Sequence, residues 1–125
     1  MAISRRSFLQ GSAVSALGLA AGIAPKLTLA ADSKDAIKVA SILDLSGGLD
    51  IYGKPMSNAI NLAAEEINAA GGLLGRPLQI INYDAQSNMQ LYAQYAQQAA
   101  LKDKVAVVHG GITSASREVI RPVLD

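Results

Sequence analysis

The sequence predicts an α/β fold, a doubly wound sheet of parallel strands, and three observations predict it. From Asp35 onward, short apolar runs alternate with longer stretches of helical periodicity in the order β-α-β-α-β-α. The stretches between runs are long enough to hold helices, which makes the strands parallel and the crossovers right-handed. The composition agrees. Half of the 125 residues are apolar but only 4% are aromatic, and alanine is plentiful, which suits helices packed closely on a sheet.

Residues 1–30 are read as an export signal and set aside. Arg5 and Arg6 are adjacent in "SRRSFL", a pattern that resembles a bacterial twin-arginine signal. An uncharged stretch from Gly11 to Ala24 follows, too short for a membrane span of about 20 residues. Thr28-Leu29-Ala30 offers small residues where a signal peptidase reads, so cleavage is expected after Ala30 or Ala31. A general secretory signal is the alternative. The Gly-, Ala- and Ser-rich apolar region and Lys26 near the cleavage point favour the twin-arginine route. Removing residues 1–30 takes away three basic residues and no acids. Eight basic residues then face ten acidic ones, a formal charge of −2, so the small positive charge of the whole chain belongs to the signal. Neither value gives a reason to expect nucleic acid. Cysteine is absent, which excludes disulfides and thiolate metal sites.

The first strand is "AIKVASIL" (36–43), with Ile37, Val39, Ile42 and Leu43. A polar loop, "DLSGGLDIYGK", leads to a helix whose first turn is expected to hold Pro55. Met56, Ile60, Ala63, Ala64 and Ile67 form one apolar stripe at helical spacing, with Glu65, Glu66 and Asn68 away from it. Gly71-Gly72 stops this helix. "LQIINY" (78–83) is the second strand and "DAQS" its turn. Ser87 followed by Gln90 reads as a capping box for a second helix, with Leu91, Tyr95 and Ala99 in line and an end near Lys102. "VAVVH" (105–109) is the third strand, apolar enough to be covered on both faces. A third helix starts near Ala115, and Pro122 is expected to end or kink it. Three strands make a thin sheet, so residues 31–125 read as the first part of a larger domain, in a fragment or truncated product.

In parallel α/β sheets, ligands bind outside the carboxyl ends of the strands. Two of the strand-to-helix loops share one chemistry: "DLSGGLDIYG" after the first strand and "GGITSAS" after the third. Glycines let the backbone approach a ligand. Hydroxyls add neutral donors and acceptors, and a helix start presents unpaired N–H groups. Such a site holds a small polar or carboxylate-bearing molecule. It is poor at activating a nucleophile, since no base lies beside these hydroxyls. The competing reading makes Ser114 or Ser116 simply a helix N-cap.

The stretch "IKVASILDLSGGLDIYGKPMSNAINLAAEEINAAGGLLGRPLQIINYDAQSN", continued by "LKDKVAVVHGGITSASREVIRPVL", resembles the type 1 periplasmic binding proteins of the branched-chain amino acid class. Its "LSG", "YG", "EEINAAGGLLGRPL" and "YDAQS" carry the likeness over residues 36–125, and "TSASR" with "RPVL" is similar to the branch that binds urea and short amides. The resemblance implies the first, incomplete lobe of a two-lobe binding protein. It also implies a periplasmic location, a small-molecule ligand (amino acid, amide or urea), an inner-membrane ABC permease as partner, no cofactor and no catalysis. It places the family's ligand-packing aromatic on Tyr52 and the loop that holds the ligand's carboxylate or amide on Gly111, Ile112, Thr113 and Ser114. Ser114 matches the serine of the amide branch. Ile112 stands where that branch carries an aromatic, and an aliphatic wall suits a different or larger ligand than urea. A ligand-sensing receptor of the same fold and an exported α/β enzyme are the alternatives. The second needs a cofactor fingerprint or a base, and residues 31–125 offer neither.

The remaining chemistry-bearing residues read as structural. His109, the only histidine, ends the third strand as a packed residue. Glu65 and Glu66 point apart on a solvated helix face. Asp84 reads as a turn residue or lobe-stabilising partner, and Tyr83, Tyr92 and Tyr95 as packing.

Overall fold

The computed structural model describes residues 36–125; the expected signal segment, with Arg5, Arg6 and Ala30, lies outside the described residues. The chain forms β1 (Ile37–Leu43), α1 (Asp50–Ala69), β2 (Leu78–Asp84), α2 (Met89–Gln97), a π-wound continuation (Gln98–Asp103), β3 (Val107–Gly110) and α3 (Ser114–Leu124). The three strands make one parallel sheet in the order β2-β1-β3, the α/β architecture expected. The most apolar run takes the centre. β1 pairs with β2 along all seven residues, from Ile37↔Leu78 to Leu43↔Asp84. Its pairing with β3 covers four, from Val39↔Val107 to Ile42↔Gly110.

Side chains alternate along a strand, so the two faces of the sheet are distinct. Ala40, Ile42 and Tyr83 face α2 and α3 and form the core with Ala85, Tyr92, Ala96, Ala99 and Ile120. The rings of Tyr83 and Tyr95 pack with centroids 5.1 Å apart, and the Tyr83 hydroxyl donates to the Asp103 carboxylate, tying β2 to the end of the π turn. The opposite face carries Ser41, Asn82 and His109 at one register level, and α1 lies over it.

Several elements depart from expectation, each for a packing reason. α1 begins at Asp50, five residues before Pro55. Gly53 is buried in its first turns, and a Cβ there would stand 1.9 Å from the Asp44 carbonyl oxygen, so the helix start lies directly on the end of β1. Lys54 and Asp50, 2.6 Å apart, brace this turn. Pro55 deletes only the bond to the Ile51 carbonyl. The expected stripe is only partly the packed one. Ala64 is buried, Met56 and Ile60 are half-buried, and Ala63 and Ile67 are exposed. The helix is turned so that Ser57 and Asn61 meet Asn82. Asn68 does not face away either. Its amide bonds both the N–H and the C=O of Leu78, at 2.7 and 2.8 Å, and so starts β2.

Asn88, not Ser87, caps α2, accepting the Gln90 N–H at 2.8 Å. Ser87 sits at φ 55°, outside cap geometry, and its hydroxyl accepts the Leu49 N–H. The helix does reach Asp103, but from Gln98 it is π-wound and is closed by Lys104 in the left-handed region. β3 is shorter than expected and half-covered. Val107 is 55% exposed because α1 packs over β1 and β2. α3 passes through Pro122 to Leu124, losing only the bond to Glu118 near its end.

Candidate functional site

Parallel strands put all three strand-to-helix loops on one edge of the sheet. The chain leaves β1 toward the α1 face and leaves the neighbouring β3 toward the other face. The two loops therefore diverge at the point where a doubly wound sheet opens its crevice. The register pairs Ile42 with Gly110, so residues 44–49 and 111–113 emerge side by side. Gly110 makes this approach possible. At φ 149°, a Cβ there would lie 2.1 Å from the Ile42 carbonyl oxygen, which also accepts the Gly111 N–H.

The loop after β1 is held from across the chain. Asp84, at the end of β2, accepts the N–H groups of Leu45, Ser46 and Gln86 and the Ser46 hydroxyl, the last at 2.6 Å. Burial alone would push the Asp84 carboxyl up. The Ser46 hydroxyl and the three N–H groups outweigh that and hold it below the usual carboxylate range. Asp84 is thus the lobe-stabilising residue the sequence suggested. Asp44 accepts the Ser87 N–H at 2.6 Å, and Ser87 in turn accepts from Leu49.

On the other side, Thr113 caps α3, so neither Ser114 nor Ser116 is the N-cap. The Thr113 hydroxyl accepts the Ser116 N–H, and the buried Ser116 hydroxyl accepts the Thr113 N–H, a complete capping box. Ser114 remains exposed, and the N–H groups of Ser114 and Ala115 have no intrahelical acceptor. The two helix starts differ in charge. α1 has Asp50 in its first turn, where the bonded Lys54 ammonium, with help from the Ile51 N–H, holds the carboxyl below its usual range. α3 has no acid in its first turn. The start of α1 already holds the Asp50–Lys54 charge pair, while the start of α3 carries no anion and favours a ligand carboxylate.

Of the residues singled out from sequence, Tyr52 stands in the first turn of α1, 58% exposed, beside the exposed Ile51. Gly111 is buried, Ile112 and Thr113 are half-buried, and Ser114 is open. All five lie at the carboxyl edge of the sheet, on segments that spring from adjacent strands. Hollows among the described residues include one between the β3 edge and α3, lined by Val108, Ile120 and Leu124, one at the amino edge beside Lys38, Lys102 and Lys104, and one beside Val105, Val107 and Val123. Among the described residues, no group of three or more His, Cys, Asp or Glu side chains is placed to hold a metal ion, and no helix is long and apolar enough to cross a membrane. Sequence reading missed the supporting roles of Asp44, Ser87 and Ser116. The one available signal was the charge of Asp44 at the end of an apolar run.

A family profile described as periplasmic binding protein matches residues 36–125. A Leu/Ile/Val-binding protein homolog 7 from Brucella abortus is 33% identical over 102 residues, covering 82% of this chain and 24% of that protein. Among solved structures, the branched-chain amino acid substrate-binding protein LivJ from Streptococcus pneumoniae, in complex with isoleucine, superposes with a TM-score of 0.69 at 30% identity. The alignment covers 70% of this chain and 25% of that one. The leucine-binding protein LivK from Thermotoga maritima gives 0.65 at 30% identity, over 70% and 24%. The chain spans about a quarter of the length of these relatives, and they are substrate-binding proteins, not enzymes.

Proposed function

Because the chain belongs to the periplasmic binding protein family, we propose that it is the N-terminal part of the first lobe of an exported substrate-binding protein serving an ABC importer for branched-chain amino acids. Residues 1–30 act as the twin-arginine-type signal, and an inner-membrane permease is the partner. The observation that carries the ligand class is the contrast between the two helix starts at the mouth. The capped, acid-free first turn of α3 offers the Ser114 and Ala115 N–H groups to a carboxylate, whereas Asp50 occupies the start of α1.

Each residue has a role in this reading. Thr113 spends its hydroxyl on the cap, so the free Ser114 hydroxyl is the side-chain donor to the carboxylate. Gly111 lets the backbone come close, and Ile112 supplies an aliphatic wall. Tyr52 packs against the ligand's side chain from the α1 side. A second lobe closes over the ligand by a hinge. An aliphatic amino acid fits a half-buried isoleucine wall better than urea or a short amide, which needs more polar partners to satisfy its nitrogens. The likeness to LivJ, bound to isoleucine, supports the same choice. A sensing receptor of the same fold is the second reading of the role, and a permease gene beside this one favours transport.

The test is calorimetric titration of the polypeptide completed with its downstream coding sequence, using isoleucine, leucine, valine, acetamide and urea. Isoleucine or leucine is expected to bind most tightly. Ser114→Ala and Tyr52→Ala are each expected to weaken binding about tenfold, equivalent to roughly 1.4 kcal/mol. Unchanged affinity in both variants removes this site while leaving the family intact. Tighter binding of acetamide or urea overturns the ligand class.

A further inference from the structure

Among the described residues four buried side-chain atoms have no hydrogen-bond partner, Ser41 Oγ, His109 Nδ1, Asp44 Oδ2 and the Tyr92 hydroxyl, and the last two are complementary in type. Asp44 is fully buried, and its Oδ2 is unpaired although Oδ1 accepts the Ser87 N–H. Tyr92, fully buried in the first turn of α2, has an unpaired hydroxyl. A carboxylate oxygen can only accept, while a phenol can donate. Buried leftovers of complementary type on neighbouring elements are groups that native proteins pair. Asp44 is tied by the Ser87 N–H to the turn that precedes α2, and Tyr92 lies in the first turn of that helix. After burial, the Asp44 carboxylate is what raises the Tyr92 phenol above its ordinary range, while the Ser116 hydroxyl pulls it down. Neither atom makes a hydrogen bond as it stands. Asp44 is the first residue of the loop after β1, which borders the mouth.

We propose that Tyr92 is a positioning residue: its hydroxyl closes on Asp44 Oδ2 and locks the loop after β1 to the first turn of α2. Both oxygens of Asp44 are then used, one on the β2–α2 turn through Ser87 and one on α2 through Tyr92. Because Ser87 also accepts from Leu49, the loop is anchored at its first residue and at the residue before α1. The ring of Tyr92 lies among Ala40, Ile42, Ala96 and Ile120 in the core, so the hydroxyl is carried by a rigid support. A phenylalanine keeps that packing and removes only the donor. The link to ligand affinity rests on the function proposed above; the hydrogen bond itself does not.

The experiment compares the full chain with its Tyr92→Phe and Asp44→Asn variants by NMR and amide hydrogen exchange. The full chain is expected to show a slowly exchanging Tyr92 hydroxyl proton, displaced downfield, that disappears in both variants. Tyr92→Phe is expected to speed exchange at the Leu49 and Ser87 amides at least tenfold and to leave the β1–β2 ladder amides unchanged. No such proton in the full chain, or unaltered exchange at those two amides, overturns the proposal. So does a uniform acceleration over all amides, which marks Tyr92 as mere packing. Neither readout uses a ligand. A completed protein that fails to bind isoleucine therefore sinks the functional reading and leaves this one standing.

Discussion

Gly53→Ala is expected to lower the melting temperature of the full chain by roughly 10–20 °C. The sign is opposite to the usual one, since alanine for glycine in an exposed helix interior is favourable by about 1 kcal/mol. Gly53 has no left-handed backbone to protect, so strain is not the reason. The reason is the neighbour. A Cβ would meet the Asp44 carbonyl oxygen at 1.9 Å and its carbon at 2.6 Å, both backbone atoms of the residue that directly follows the central strand. Neither can rotate away as a side-chain tip does, so α1 must back off the sheet, at a cost of about 2–3 kcal/mol. Gly48→Ala is the control. Nothing lies within 4 Å of its added Cβ and its φ is unrestrictive, so the effect is expected to stay within about 0.5 kcal/mol. Thermal unfolding followed by far-UV circular dichroism reads both. A melting point that rises in Gly53→Ala shows that α1 does not start against Asp44, and the geometry of the mouth fails with it.

Asp84→Asn is expected to destabilise the chain by about 2 kcal/mol at neutral pH, with a pH signature. The carboxylate accepts from three backbone N–H groups and one hydroxyl, all belonging to the turn after β2 or the loop after β1. Those donors prefer the charged form, so the folded carboxyl titrates below its unfolded value of about 3.9. A lowered carboxyl contributes stability that is fully present above the unfolded value and is lost as pH falls through the folded one. The gap between the full chain and Asp84→Asn is therefore expected to be constant from about pH 7 to 5 and to shrink below about pH 4. Denaturant melts at a series of pH values measure it. A gap that stays flat down to pH 2 shows that the charge of Asp84 holds nothing.

Legibility from sequence followed the range of the interaction. β1, β2 and the stop of α1 at Gly71-Gly72 were readable because strand and helix periodicities and glycine's freedom at φ 110° and 81° are local properties. The loops that carry Tyr52 and Gly111 to Ser114 were readable because a parallel α/β order places them at one edge regardless of packing. The start of α1 was misjudged at Pro55 because the proline signal is local, whereas the contact that sets the boundary, Gly53 on Asp44, is not. The cap of α2 was misjudged at Ser87 because that hydroxyl is drawn to Leu49, 38 residues away in the chain.

By itself, the sequence determined the alternation of strands and helices, the parallel sheet, the family likeness and the segments that gather at the carboxyl edge of the sheet. All of these follow from residue periodicity and short motifs, which act over a few positions. Only the tertiary structure decided that Asp84 and Asp44 brace the loop after β1. The bonds that decide the bracing join residues 39 and 43 positions apart. No pattern within a strand or helix encodes such a pairing; it exists once the parallel register has brought the ends of β1, β2 and β3 together.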